Sequence, residues 1–91
     1  MRIEWTGKAR DDLARLFDFL AAVNPGAAGR VVQSLTTAAG DLVKHPRIGE
    51  SLEQYRPRDV RRVIVGHYEM RYELTHDVLY VLRLWHTRED R

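Results

Sequence analysis

From Val60 onward the chain consists of three apolar runs separated by very short breaks, and this spacing constrains the fold more than any other feature. Residues 60–65 are β-branched or arginine and end at Gly66-His67. Tyr68-Glu-Met-Arg-Tyr-Glu-Leu then alternates strictly, which puts Tyr68, Met70, Tyr72 and Leu74 on one face of a strand. Two residues between strands allow only a tight hairpin. His76-Asp77 marks the next turn, and residues 78–85 are almost continuously apolar, the pattern of a central strand covered on both faces.

The first half has a different period. Arg2-Ile3-Glu4-Trp5 alternates and predicts a short strand able to pair beside the last one, and Thr6 stands where a helix N-cap belongs. A helix starting near Gly7 buries Ala9, Leu13, Leu16, Phe17 and Leu20 on one stripe, with Asp11, Asp12, Arg15 and Asp18 off it. Asn24-Pro25-Gly26 interrupts it, because proline cannot continue the hydrogen-bond ladder. A second helix follows, carrying Val31, Leu35, Ala39 and Leu42 on one side, and stops before Pro46. Residues 45–59 read as a surface loop. The fold class is therefore α+β: an N-terminal strand, an α-helical hairpin, then a three-strand antiparallel meander, with the helices on one face of the sheet. Residues 1–91 form a single domain, since a second core could not be filled.

Several chemistries are excluded by what the chain lacks. With no cysteine, disulfides, thiolate metal sites and cysteine nucleophiles are absent together, which fits a reducing compartment. Neither a signal peptide nor a membrane span is visible, so the chain is read as cytoplasmic with no membrane partner. His67 and His76 sit at opposite ends of one strand, about 30 Å apart at 3.3 Å per residue, and no helical His spacing completes a metal site. No glycine-rich phosphate loop follows a strand, so no cofactor is expected.

Thirteen of the fifteen basic residues are arginine, whose planar fork suits phosphate and carboxylate. If Tyr68, Met70 and Tyr72 face the helices, Glu69, Arg71 and Glu73 face away, while Arg83 and Trp85 share a face of the last strand. That far face is expected to be open, a surface on which arginine can neutralise phosphate and an aromatic ring can stack on a base. The alternative is structural: Arg71 and Glu73 in cross-strand ion pairs, with Trp85 as core.

Arg61-Arg-Val-Ile-Val-Gly-His-Tyr-Glu-Met-Arg-Tyr-Glu-Leu, followed by Val78-Leu-Tyr-Val-Leu-Arg-Leu-Trp-His-Thr-Arg-Glu-Asp-Arg, resembles the RelE/ParE toxin superfamily, in which a Gly-x-Tyr-x-x-x-Tyr strand precedes one ending in His-x-Arg. The resemblance implies a cognate antitoxin protein as partner and a toxin-antitoxin hetero-oligomer. It implies one of two targets: DNA gyrase for ParE-like members, or the ribosome and mRNA for RelE-like endoribonucleases. Glu69 follows Tyr68 where RelE-like nucleases commonly carry arginine, and no tyrosine follows Tyr80, so the ParE branch and gyrase inhibition are expected. If the chain cuts RNA instead, His86 and Arg88 are the catalytic candidates. Arg61, Arg62, Arg71, Arg83 and Trp85 are the expected binding residues. An ordinary nucleic-acid-binding module is a third possibility.

Overall fold

A computed structural model describes residues 1–89 of the chain. Its elements run β1 (Arg2–Trp5), α1 (Gly7–Ala21), α2 (Pro25–Leu42), β2 (Glu50–Ser51), β3 (Asp59–Val65), β4 (Tyr68–Leu74) and β5 (Val78–His86). One five-stranded sheet has the order β1-β5-β4-β3-β2. β1 lies parallel to β5, and every other neighbouring pair is antiparallel. The α+β class, the helical hairpin and the meander are all present as expected.

Local chemistry explains the boundaries. Thr6 caps α1 by accepting the Ala9 N–H at 3.1 Å, and Asn24 caps α2 by accepting the Ala27 N–H at 3.1 Å, with Pro25 in the first turn where its missing N–H costs nothing. Gly66 turns β3 into β4 at φ 61°, a backbone conformation that glycine adopts without steric cost. The core lies between α1, α2 and one sheet face, where Ala9, Leu16, Leu35, Ala39 and Leu42 meet Met70, Tyr72, Leu79, Val81 and Leu84. Each large aliphatic side chain buried there contributes roughly 2 kcal/mol.

A bulge decides which β5 residues join that core. Arg71 pairs with Arg83 but Tyr72 pairs with Val81, so Leu82 is the extra residue. Alternation alone would put Leu79 and Val81 on one face and Leu84 on the other. With the bulge, Leu79, Val81, Leu84 and His86 all face the helices, and Arg83 and Trp85 face away.

Three expectations need correction. The loop of residues 45–59 is not wholly irregular: Glu50 and Ser51 pair with Arg62 and Arg61, and Leu52 N–H bonds Val60 O at 2.9 Å. The loop is held by Tyr72, whose hydroxyl accepts the Gly49 N–H at 3.0 Å and donates to Pro46 O at 2.7 Å. Gly49 is required there, since a Cβ would stand 2.8 Å from Arg62 O and against the Tyr72 hydroxyl. Asp12, expected off the apolar stripe, is buried, while Phe17, expected on it, is 40% exposed. The stripe runs 9, 12, 13, 16 and 20, a spacing that places position 12 over the core as well as position 13. Finally, the far face is not open, as described below.

Candidate functional site

Apart from Arg61, the sequence-predicted residues fall in two separate regions, on opposite faces of the sheet. On the face away from the helices, the cross-strand partners Arg62–Arg71–Arg83 and Ile64–Glu69–Trp85 stand in rows. Glu69 is buried between them. Its carboxylate accepts from Arg71 Nη2 at 2.7 Å and lies 3.5 Å from Arg62 Nη1, and Arg62 Nε also meets Glu50 at 2.9 Å. Trp85 is 7% exposed and packs under both neighbouring guanidinium groups, with the Arg71 and Arg83 carbons 4.7 and 4.8 Å from its ring centre. The Tyr55 hydroxyl accepts a third contact from Arg71 at 3.0 Å. Three like charges in adjacent strands would repel if unpaired. The buried carboxylate and the aromatic faces are what allow them to stand together.

Arg83 reaches around the β5 edge to Asp12 on α1, with Nε to Oδ2 at 2.7 Å and Nη2 to Oδ1 at 3.2 Å. β1 is too short to cover that edge, because its pairing with β5 ends at Val81. The side chains of α1 take over. Thr6 donates to Leu82 O, Asp12 accepts the Leu84 N–H at 2.9 Å, and Arg15 donates to both Asp12 and Leu84 O. Burial by itself raises the Asp12 carboxyl, but the hydrogen bonds from Arg83, the Leu84 N–H and Arg15 outweigh it and hold the group below its ordinary value. Arg61 lies on the helix-side face at the sheet edge, tied to Asp59 at 2.9 Å and to the carbonyls of Arg47 and Gly49. Glu73 pairs with Arg58 rather than Arg71.

The second region is a groove of about 500 Å³ between α1 and the end of β5, lined by Leu16, Phe19, Leu20, Tyr68, His86 and Arg88, with Arg15 and Glu89 at its rim. His86 faces it because of the bulge. Its ring stacks on His67 at 6.1 Å between centres and meets Tyr68 edge-on at 5.3 Å. The turn after β5 is braced: His86 N–H bonds Glu89 Oε1, Thr87 N–H bonds His67 O, and Glu89 pairs with Arg15. Arg88 N–H donates to His86 Nδ1 at 3.1 Å, so a neutral ring carries its proton on Nε2. The guanidinium of Arg88 has no carboxylate partner among the described residues.

Residues 3–91 match the family model described as the ParE toxin of the type II toxin-antitoxin system parDE. The chain belongs to the ParE toxin family. It is similar to Toxin RelE2 of Caulobacter vibrioides, with 31% identity over 85 residues and 93% of each chain covered. Its fold is similar to a solved structure of the chromosomal ParDE system of P. aeruginosa, at TM-score 0.77, 22% identity and 92% coverage of both chains. It is also similar to a chain of the toxin-antitoxin complex RelBE2 from Mycobacterium tuberculosis, at TM-score 0.69 and 25% identity, covering 93% of this chain and 95% of that one.

In this ParE-family chain, then, the candidate catalytic pair His86 and Arg88 is separated by the sheet from Arg62, Arg71, Arg83 and Trp85. Asp90 and Arg91, the last two residues of the segment that marks the family in the sequence, lie outside the described residues. Three features escaped the sequence reading. Asp12 had a signal in its spacing between Ala9 and Leu16. The His67–His86 stack depends on the bulge at Leu82, since unbroken pairing back from the turn would set Trp85, not His86, opposite Tyr68. The groove had none, because it needs α1 and the β5 terminus in one place. Among the described residues no group of three or more His, Asp or Glu can hold a metal ion, and no helix is long and apolar enough to cross a membrane.

Proposed function

We propose that this toxin acts by binding, as an inhibitor of DNA gyrase, and that a cognate antitoxin neutralises it. The observation that carries the reading is the pairing of the basic side chains on the far face: Arg62, Arg71 and Arg83 each meet a carboxylate, and Glu69 is buried there. A nuclease face needs arginine donors aimed at a phosphate on which charge develops. Here those donors are turned to protein carboxylates, and bringing a phosphate to Glu69 sets like charges against each other. For the antitoxin, the exposed Phe19, 73% accessible beside the groove, offers apolar area that a partner segment can cover.

Ribosome-dependent cleavage of mRNA is the second reading, favoured by the single groove that holds both His86 and Arg88 with Tyr68. In it His86 is the acid-base group and Arg88 neutralises phosphate. A supercoiling assay with purified gyrase and toxin separates the two. Inhibition that survives His86→Ala and Arg88→Ala supports the binding reading. Uninhibited gyrase, together with codon-linked cuts in translated RNA that both substitutions abolish, would overturn it.

A further inference from the structure

β1 forms one edge of the sheet, and its outer side carries backbone groups that nothing else in the fold uses. Arg2 and Thr6 give their N–H groups to Asp77 O and Val81 O, each at 3.0 Å, so by alternation Ile3 and Trp5 turn theirs away from the sheet. Among the described residues only Trp5 O is covered, by Arg10 Nη1 of α1 at 2.9 Å. We infer that this edge pairs with the same edge of a second copy of the chain, antiparallel about a two-fold axis at Ile3, so that the two sheets become one.

Backbone, charge and apolar area all select that occupant and that register. In an antiparallel ladder, facing residues that point toward each other exchange both N–H···O bonds. Ile3 does so with the partner's Ile3, and Trp5 N–H then meets the partner's Met1 O. The same register sets Arg2 opposite the partner's Glu4, and Glu4 opposite the partner's Arg2, as closely spaced pairs on the face away from the helices. Both side chains are available, at 63% and 48% exposure, and within one chain they already meet at 3.2 Å. On the helix side Met1, 51% exposed, comes to lie against the partner's Trp5.

Charges on an edge strand ordinarily keep other strands away. Opposite charges two residues apart are different, because they are complementary to themselves about the residue between them. A register centred on Arg2 or Glu4 sets that charge against its own copy and turns the wrong backbone groups inward. One centred on Trp5 needs the carbonyl that Arg10 holds. With four residues in β1 the interface is small, so the dimer is of the weak, concentration-dependent kind. None of the groove-lining residues belongs to β1, so the pairing stands apart from both the gyrase and the nuclease readings.

Sedimentation velocity of the purified full chain, from about 10 µM to about 1 mM, reads the oligomeric state. The chain is expected to pass from monomer toward dimer across that range. Glu4→Arg and Arg2→Glu each oppose like charges at both pairs and are expected to raise the dissociation constant roughly tenfold. Because both side chains are exposed, each variant should keep the parent's thermal midpoint. An equimolar mixture of the two variants sets arginine against glutamate at every pair, and is expected to dimerise to within about threefold of the parent. A chain that stays monomeric throughout the range overturns the inference. So does a dimer indifferent to both substitutions, or a mixture that associates no better than either variant alone, since each places any contact elsewhere on the surface.

Discussion

On the face of the sheet turned away from the helices, Arg62, Arg71 and Arg83 each meet a carboxylate, whereas in the helix-side groove Arg88 meets none among the described residues. The two regions are built from the same strands, β4 and β5, and differ in what surrounds the charge. Behind the sheet, Glu69 and Trp85 are buried and the guanidinium groups serve as cover for them. In the groove, Leu16, Leu20 and Tyr68 make an apolar floor and the polar groups stand at its end. The difference teaches that arginine-rich sequence does not by itself make a phosphate-binding face. The pairing partner, here one buried glutamate and one buried aspartate, decides whether arginine holds the protein together or meets a ligand.

The largest test of this contrast is removal of Glu69. Glu69→Ala leaves Arg71, only 18% exposed at its side chain, without its carboxylate and is expected to cost about 3 kcal/mol in urea unfolding. A loss below about 1 kcal/mol would mean that the far face is not the closed layer described above. Asp12→Ala comes next, at about 2 to 3 kcal/mol, because the Leu84 N–H and two guanidinium groups lose their acceptor. The same carboxyl sets a pH dependence. Because its folded value is lowered, its contribution is present above the unfolded value of about pH 4 and is lost as the pH falls through the folded value. Asp12→Asn should flatten that acid limb of the stability curve.

Tyr72→Phe is expected to cost about 1 kcal/mol, and to speed amide exchange at Gly49, since the hydroxyl bridges the β2 loop to the core. The smallest effect belongs to the groove. Arg88→Ala should leave stability within about 0.5 kcal/mol, and a larger loss would place Arg88 in the structural class with Arg71 and Arg83.

Much of the fold was legible because it repeats. Period-3.6 stripes marked both helices, Thr6 marked the start of the first and Asn24-Pro25-Gly26 the break between them, and strict alternation in β4 identified its core face. Asp12 was misjudged because an acid reads as surface even when its spacing from Ala9 and Leu16 places it over the core. Glu69 was placed on the correct face, but that face was read as open. Its burial depends on Arg62 from β3 and Trp85 from β5 beside Arg71 of its own strand. The small strand β2 escaped notice because two residues carry no period.

The composition and spacing of the chain determined the class, the order of elements, the helix caps, the hairpin turns and the family resemblance, since each rests on neighbours within a few residues. Only the tertiary structure decided which face of β5 its later residues take. One bulge at Leu82 turns Arg83 and Trp85 outward and His86 toward α1, and it exists because the strand must satisfy β4 on one side and Thr6, Asp12 and Arg15 on the other. That choice separates the ionic layer from the groove, and alternation along a single strand cannot express it.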